Sequence, residues 1–65
     1  MQHQVLIKEE DKGLRLYLDA IPLPGKWYEP KDKKYAIHDA KGLAKKNSPC
    51  EIIMVYSNGY RESIE

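Results

Sequence analysis

Hydrophobic and polar residues alternate along the first third of the chain with the two-residue period of β-strands. Residues 3–9 and 14–20 each read as a strand, and the alternation is clearest in the second, where the leucines share one face and Arg15 and Tyr17 share the other. Between the two stretches, the sequence Glu-Asp-Lys-Gly at 10–13 is typical of a tight turn whose glycine takes the left-handed conformation, with a bulge. Together these features predict a first β-hairpin.

Residues 21–32 break this alternation and are predicted to form a long loop. Three prolines in the segment each lack a backbone donor and disfavour helix in the residue before them. Trp27 and Tyr28 lie inside it. We interpret Trp27 first as a lid that packs the loop onto the core, because a large aromatic side chain is a common anchor for such a loop. The other interpretation is a contact residue for a partner.

Residues 33–47 allow two interpretations. In the first, Asp32 caps one amphipathic helix that runs from 33 to 47 with alanines and a leucine facing inward. The outer stripe of that helix would be Lys34, His38, Lys41 and Lys45. In the second, residues 34–37 form a short strand and Asp39 caps a helix over 40–47. We favour the second, because polar and apolar residues alternate over 34–37.

Residues 51–56 are apolar on both faces, as in a strand that is covered on both sides. The Asn-Gly pair at 58–59 predicts a two-residue type I′ turn, after which residues 60–64 return as a charged edge strand. This turn would place Ile53 opposite Ile64. Because a single helix covers only one face, apolar strand surface is left over and must meet the first hairpin or another molecule.

The order β-β-(β)-α-β-β predicts a single α+β domain, residues 1–65, with a small antiparallel sheet of four to five strands and one short helix packed on one face. A domain of 65 residues buries only about 60% of the surface of its unfolded chain, which argues against an internal active-site cavity. The first strand, over 3–9, has fewer charged side chains than the last, so we predict it as the edge for dimerisation.

Charge is concentrated in the middle third of the chain. Residues 26–46 hold seven lysines against three carboxylates, a net charge of +4, while residues 1–25 carry −1 and residues 47–65 carry −2. Such a segment indicates an acidic protein surface or a polyanion as partner. No basic signal-peptide stretch opens the sequence, and no apolar run approaches the roughly 18 residues of a membrane span. We therefore expect a cytoplasmic protein with no membrane partner.

Signatures of catalysis and metal binding are weak. Cys50, His38 and Asp39 are the only trio of thiol, base and acid available for nucleophilic catalysis, and no spacing motif supports them. A small buried hydrophobe is the ordinary role for such a cysteine. The two histidines and the cysteine lack the close pairs of zinc sites, and the glycines stand alone instead of forming a phosphate-binding loop. We predict no enzymatic activity, no metal and no cofactor.

We therefore predict a small non-catalytic protein-interaction module, an adaptor or inhibitor that binds another protein or a second copy of itself. The alternative is a nucleic-acid-binding accessory protein, in which lysines neutralise phosphates and aromatic rings stack on bases. The near-neutral net charge of +1 weighs against this alternative. Either function would use the same partner-binding residues, which are Trp27, Tyr28, Lys31, Lys33, Lys34, Lys41, Lys45 and Lys46.

Overall fold

The chain forms a five-stranded mixed sheet with one helix, an α+β arrangement, in a computed structural model that describes residues 2–25 and 27–64. Lys26, part of the predicted basic segment, lies outside the described residues. The strands follow the order β3-β2-β1-β4-β5 across the sheet. The elements are β1 (His3–Glu10), β2 (Gly13–Leu18), β3 (Ile21–Pro22), a 3₁₀ turn (Pro30–Asp32), α1 (Lys33–Lys46), β4 (Cys50–Val55) and β5 (Arg61–Ile64).

The prediction of a fully antiparallel sheet is wrong for one pair of strands. β1 and β4 run parallel, with His3 opposite Cys50 and Lys8 opposite Val55. Parallel neighbours need a long crossover connection, and the chain between β1 and β4 supplies one that contains α1. β1 therefore lies in the centre of the sheet, paired on both sides, and the prediction that it forms a dimer edge is also wrong.

The first hairpin is confirmed, and both its backbone conformation and a close contact favour glycine at position 13. Gly13 has a φ of +128°, and a Cβ at this position would lie 2.4 Å from the carbonyl oxygen of Tyr28. That close approach arises because Leu14 and Tyr28 exchange backbone hydrogen bonds of 2.7 and 2.9 Å. The bridge fastens the long loop to the outer side of β2.

β2 ends earlier than predicted, at a turn that the sequence pattern did not indicate. Asp19 and Ala20 both have positive φ, 51° and 69°, as in a type I′ turn, and the chain then pairs back as β3. Alanine rarely adopts this conformation. Asp19 helps to hold it, because its carboxylate accepts hydrogen bonds from the Gln4 amide and from Nδ1 of His3.

The last hairpin has a three-residue loop instead of the predicted two. Only Gly59 has a positive φ, 90°, and Tyr56 donates from its amide to the carbonyl of Tyr60. This is a type I turn followed by a left-handed glycine. The extra loop residue shifts the register by one, so that Ile64 lies opposite Ile52 and not Ile53. A one-residue shift exchanges the faces of a strand, and Ile64 therefore packs against the core.

A single helix spans Lys33–Lys46, so the favoured interpretation of 34–37 as a strand is wrong and the one-helix interpretation is confirmed. Tertiary packing decides between them. Ala36, Ala40 and Ala44 recur every four residues and are buried, and their small side chains let the helix lie close to the sheet. Beneath them the core consists mainly of Val5, Ile7, Leu14, Leu16, Tyr28, Ile52 and Met54.

Candidate interaction surface

The helix packs on one face of the sheet, and the opposite face carries no covering element among residues 2–25 and 27–64. The core side chains are at odd-numbered positions in β1 and at even-numbered positions in β2 and β4. All of them face α1, as the alternation of side chains along a strand requires. α1 contacts β1, β2 and β4. We call the other side of the sheet the open face. Its side chains come from the intervening positions, such as Leu6, Tyr17 and Ile53.

An apolar row crosses the middle of the open face. Leu6 pairs with Tyr17 on one side and with Ile53 on the other, and the row continues to the two edges of the sheet. We call this the central row; it consists of Pro22, Tyr17, Leu6, Ile53 and Ser63. Leu6 is only 9% exposed, whereas Tyr17 and Ile53 are half-buried. Apolar side chains thus cross β3, β2, β1 and β4, with Pro22 exposed and Tyr17 and Ile53 partly exposed, and the row ends at Ser63.

A second row, rich in cations, runs beside the central row. Lys8 pairs with Arg15 and with Val55, and Val55 pairs with Arg61. The Leu14–Tyr28 bridge places Trp27 next to Arg15 at the outer end. We call this the basic row; it consists of Trp27, Arg15, Lys8, Val55 and Arg61.

Cations and aromatic rings alternate at this end of the open face. The guanidinium carbon of Arg15 lies 5.0 Å from the ring centre of Trp27 and 6.0 Å from that of Tyr17, and Lys8 Nζ lies 5.1 Å from the Tyr17 ring. Cation–π contacts of this kind fix the side chains in place. Tyr17 also donates a hydrogen bond from its hydroxyl to Glu10, which raises the pKa of the phenol. The ring is therefore a neutral, positioned surface at physiological pH.

An acidic row borders the central row on its other side. Gln4 and Glu51 are paired across β1 and β4, and Gln4 Nε2 donates to Glu51 Oε1 over 2.9 Å. Asp19, just after β2, bonds the Gln4 amide and the His3 ring, so its carboxylate lies at the end of the sheet and is not part of this row. Among the described residues, the open face therefore has Lys8, Arg15 and Arg61 on one side of the central row and Glu51 on the other, while Glu10 lies beyond Lys8 on the cationic side.

The predicted partner-binding residues do not form one surface. Trp27 lies on the open face and is 37% exposed, whereas Tyr28, one residue later, is buried in the core under α1. The lysines are spread over the helix side of the molecule: Lys34, Lys41, Lys45 and Lys46 are exposed on α1, and Lys31 pairs with Glu29 over 3.2 Å before it. The helix and the sheet separate these lysines from Trp27.

The ammonium group of Lys33 makes a structural hydrogen bond within the protein. Its Nζ donates to the Tyr56 hydroxyl over 2.8 Å, and that hydroxyl donates to Glu62 over 2.8 Å. The bond to Tyr56 raises the pKa of Lys33, despite an opposing effect of burial. This network ties the first turn of α1 to β4 and β5.

A groove of about 370 Å³ lies between α1 and the loop that leads to Tyr28. Its floor is apolar, and the Tyr28 hydroxyl donates a hydrogen bond to Asp39 within it. Gly42 contributes no side chain to the wall. The lining residues are Leu16, Leu23, Tyr28, His38, Asp39, Gly42, Leu43 and Lys46.

The sequence-predicted trio of Cys50, His38 and Asp39 is not brought together. His38 and Asp39 line the helix groove, while Cys50 begins β4 opposite His3, whose ring bonds Asp19. Burial, and secondarily the charge of Asp19, raises the pKa of the Cys50 thiol. A raised pKa keeps the sulfur in its unreactive thiol form at neutral pH.

Sequence reasoning missed most of the open face. It placed Arg15 and Tyr17 together on the polar side of the second strand, which was the available signal, but it did not place Lys8, Ile53 and Arg61 beside them. Those neighbours depend on the parallel β1–β4 pair and on the register of the last hairpin.

No protein-family model, curated protein or solved structure matches this chain. Over the described ranges 2–25 and 27–64, no three His, Cys, Asp or Glu side chains are grouped so that they could hold a metal ion. In the same ranges, no helix has the length and apolar character needed to cross a membrane.

Proposed function

We propose that this chain is a non-catalytic protein-interaction module whose contact surface is the open face of its sheet. The observation that carries the proposal is the central row, which is apolar on four of the five strands and which no element covers in the described part of the chain. Exposed apolar patches with polar borders mark sites of protein contact. Positioned Trp, Tyr and Arg side chains are also the types enriched at the energetic centres of interfaces.

The chemistry of the surface favours a protein partner over a nucleic acid. The basic row and Trp27 would suit phosphates and bases, but Glu51 and Glu10 lie on the same face and would repel a phosphate backbone. A protein can instead offer apolar side chains to the central row and carboxylates to the basic row. Lys34, Lys41 and Lys45 remain a predicted contact region on a separate surface.

Site-specific photocrosslinking in cells that express the protein natively tests this proposal. A photoreactive residue in place of Ser63, at the exposed end of the central row, should form a protein adduct that mass spectrometry can identify. The same residue in place of His38, which is exposed on the helix side, serves as the matched control. Adducts only from position 38, or from neither position, would contradict the open face as the contact surface.

A mobility-shift titration with single-stranded and duplex oligonucleotides tests the nucleic-acid alternative. Binding that depends on Lys8 and Arg15 and weakens steeply between low and moderate salt would replace the proposed protein partner with a nucleic acid. We expect no shift at moderate salt.

A further inference from the structure

The pattern of charge on the open face identifies a specific partner. Two sheets that pack face to face align their strands within about 30°, and two copies of one chain normally do so about a twofold axis. The axis can run along the strands or across them. These two choices bring different rows into contact, and the charges of the rows distinguish between them.

An axis along the strands would place each basic row against its own copy. Lys8 and Arg15 would then face Lys8 and Arg15 of the second copy, and like charges opposed across an interface are destabilising. An axis along the central row reverses the strand direction of the second sheet. The central rows then meet, with Leu6 over Leu6, and each basic row faces the acidic row of the other copy.

The register makes this second arrangement specific. Lys8 and Gln4 lie the same distance from Leu6 along β1, in opposite directions, and Glu51 is the neighbour of Gln4 in β4. Rotation about the central row therefore brings Lys8 of one copy over Gln4 and beside Glu51 of the other. By the same rule Val55 of one copy comes over Glu51 of the other, because both flank Ile53 in β4 by two residues.

We infer that the partner is a second copy of this chain, bound face to face about a twofold axis that runs along the central row. The dimer packs the central rows of both copies against each other and brings Lys8 of each copy beside Glu51 of the other. It also explains the alternation of charge on either side of the apolar strip. The inference rests on the proposed use of the open face and adds the identity and the orientation of the partner.

A charge exchange between Lys8 and Glu51 tests the inference. Lys8→Glu places a carboxylate beside Glu51 of the second copy, and Glu51→Lys places an ammonium beside Lys8, so each variant alone should raise the dimer dissociation constant by about tenfold or more, as like charges do at an interface. An equimolar mixture of the two variants restores both contacts and should form a heterodimer with a dissociation constant within about threefold of the wild-type value. Sedimentation velocity over a concentration series measures all three.

The controls separate this result from a general loss of charge or of folding. His38→Glu adds a negative charge on the helix side, away from the open face, and should leave the dissociation constant unchanged. Recovery in the mixture shows that both variants fold, and the chemical shift pattern of each variant alone checks this independently. Trp27, the only tryptophan, lies at the end of the basic row, so dilution of the wild-type dimer should also shift its fluorescence emission to longer wavelength.

A wild-type chain that stays monomeric at millimolar concentration would overturn the inference, as would a His38→Glu variant that dissociates as readily as Lys8→Glu. Failure of the mixture to recover, with both variants folded, would overturn the orientation. Crosslinking at Ser63 distinguishes a failure of the dimer inference from a failure of the proposed function. An adduct between two copies supports both, whereas an adduct with a different protein retains the open face and overturns the second copy.

Discussion

Trp27 and Tyr28 are neighbours in the chain but lie on opposite faces of the sheet. The Trp27 ring rests 5.0 Å from the guanidinium of Arg15 on the open face, while Tyr28 is buried beneath α1 and donates its hydroxyl proton to Asp39. The loop is therefore pinned to the core by Tyr28, which takes the role that the sequence suggested for Trp27. Trp27 is left as a surface group.

This division predicts different costs for truncating the two side chains. Tyr28→Ala should lower the free energy of unfolding by about 3 kcal/mol or more, since it empties a buried aromatic site. Trp27→Ala should cost about 1 kcal/mol or less, as expected for a partly exposed residue outside the core. Urea denaturation followed by circular dichroism measures both.

If Tyr28→Ala does not fold, Tyr28→Phe supplies the same comparison. It removes only the hydroxyl bond to a carboxylate and should cost about 1.5–3 kcal/mol. Equal losses for the Trp27 and Tyr28 variants would contradict the assignment of the two rings to different faces.

Two glycines should respond to alanine in opposite directions. Gly13→Ala places a methyl group 2.4 Å from the Tyr28 carbonyl oxygen at a φ of +128°, and we expect a loss of about 2 kcal/mol or more from backbone strain. Gly42→Ala adds a methyl group in open space within α1 and should stabilise the fold by up to about 1 kcal/mol. Thermal unfolding of the two variants beside the wild type measures the difference. A neutral Gly13→Ala would mean that the loop does not approach β2 as described.

The first hairpin could be predicted from sequence because its pattern, turn and pairing are all local. The β1–β4 pair could not, because parallel pairing joins segments that are 47 residues apart in register and no local pattern records the choice. The turn at Asp19 was missed since Ala20 is an unusual residue at positive φ, and its conformation is held by a contact from Asp19 to Gln4. Such contacts appear only after the strands are placed.

The candidate interaction surface could not be predicted from the sequence for the same reason. A charge count along the chain drew attention to the lysines of residues 26–46, but the sheet assembles a different basic row from β1, β2 and β5, whose cations are far apart in sequence. The predicted surplus of apolar strand surface was not assigned to either face of residues 51–56, and the predicted register grouped Ile53 with Val55 on one of them. The one-residue error in the last turn wrongly placed Ile64 with them.

Stability should fall in acid partly through Asp19. Hydrogen bonds from the His3 side chain, and then from the Gln4 amide, lower the pKa of this carboxyl below its ordinary value of 3.8. A lowered folded-state pKa contributes stability that is present above the unfolded-state value and is lost as the pH falls through the folded-state pKa. Asp19→Asn removes the titration but keeps a residue that tolerates positive φ.

We therefore expect Asp19→Asn to be less stable than the wild type at pH 6 and to lose less stability between pH 5 and pH 2. The pKa of Glu9 is lowered by a hydrogen bond from the Ser57 amide, so this carboxyl should contribute to the loss of stability that remains in the variant as the pH falls. Urea unfolding at a series of pH values measures both effects. An unchanged slope in Asp19→Asn would show that these hydrogen bonds do not hold the carboxylate.

The Cys50 thiol should titrate above its ordinary pKa of 9.0, because burial, and then the charge of Asp19, disfavour the thiolate. The rate of reaction with a neutral alkylating reagent, measured against pH, should therefore have its midpoint above 9. In Asp19→Asn the midpoint should move down, since one of the charges that raise the pKa is removed, while Glu29→Gln at an exposed site elsewhere should leave it in place. The midpoint, unlike the absolute rate, does not depend on how easily the reagent reaches the sulfur. A midpoint near 7 in the wild type would reveal an activated thiolate beside His3 and Asp19, and would contradict a non-catalytic role for this chain.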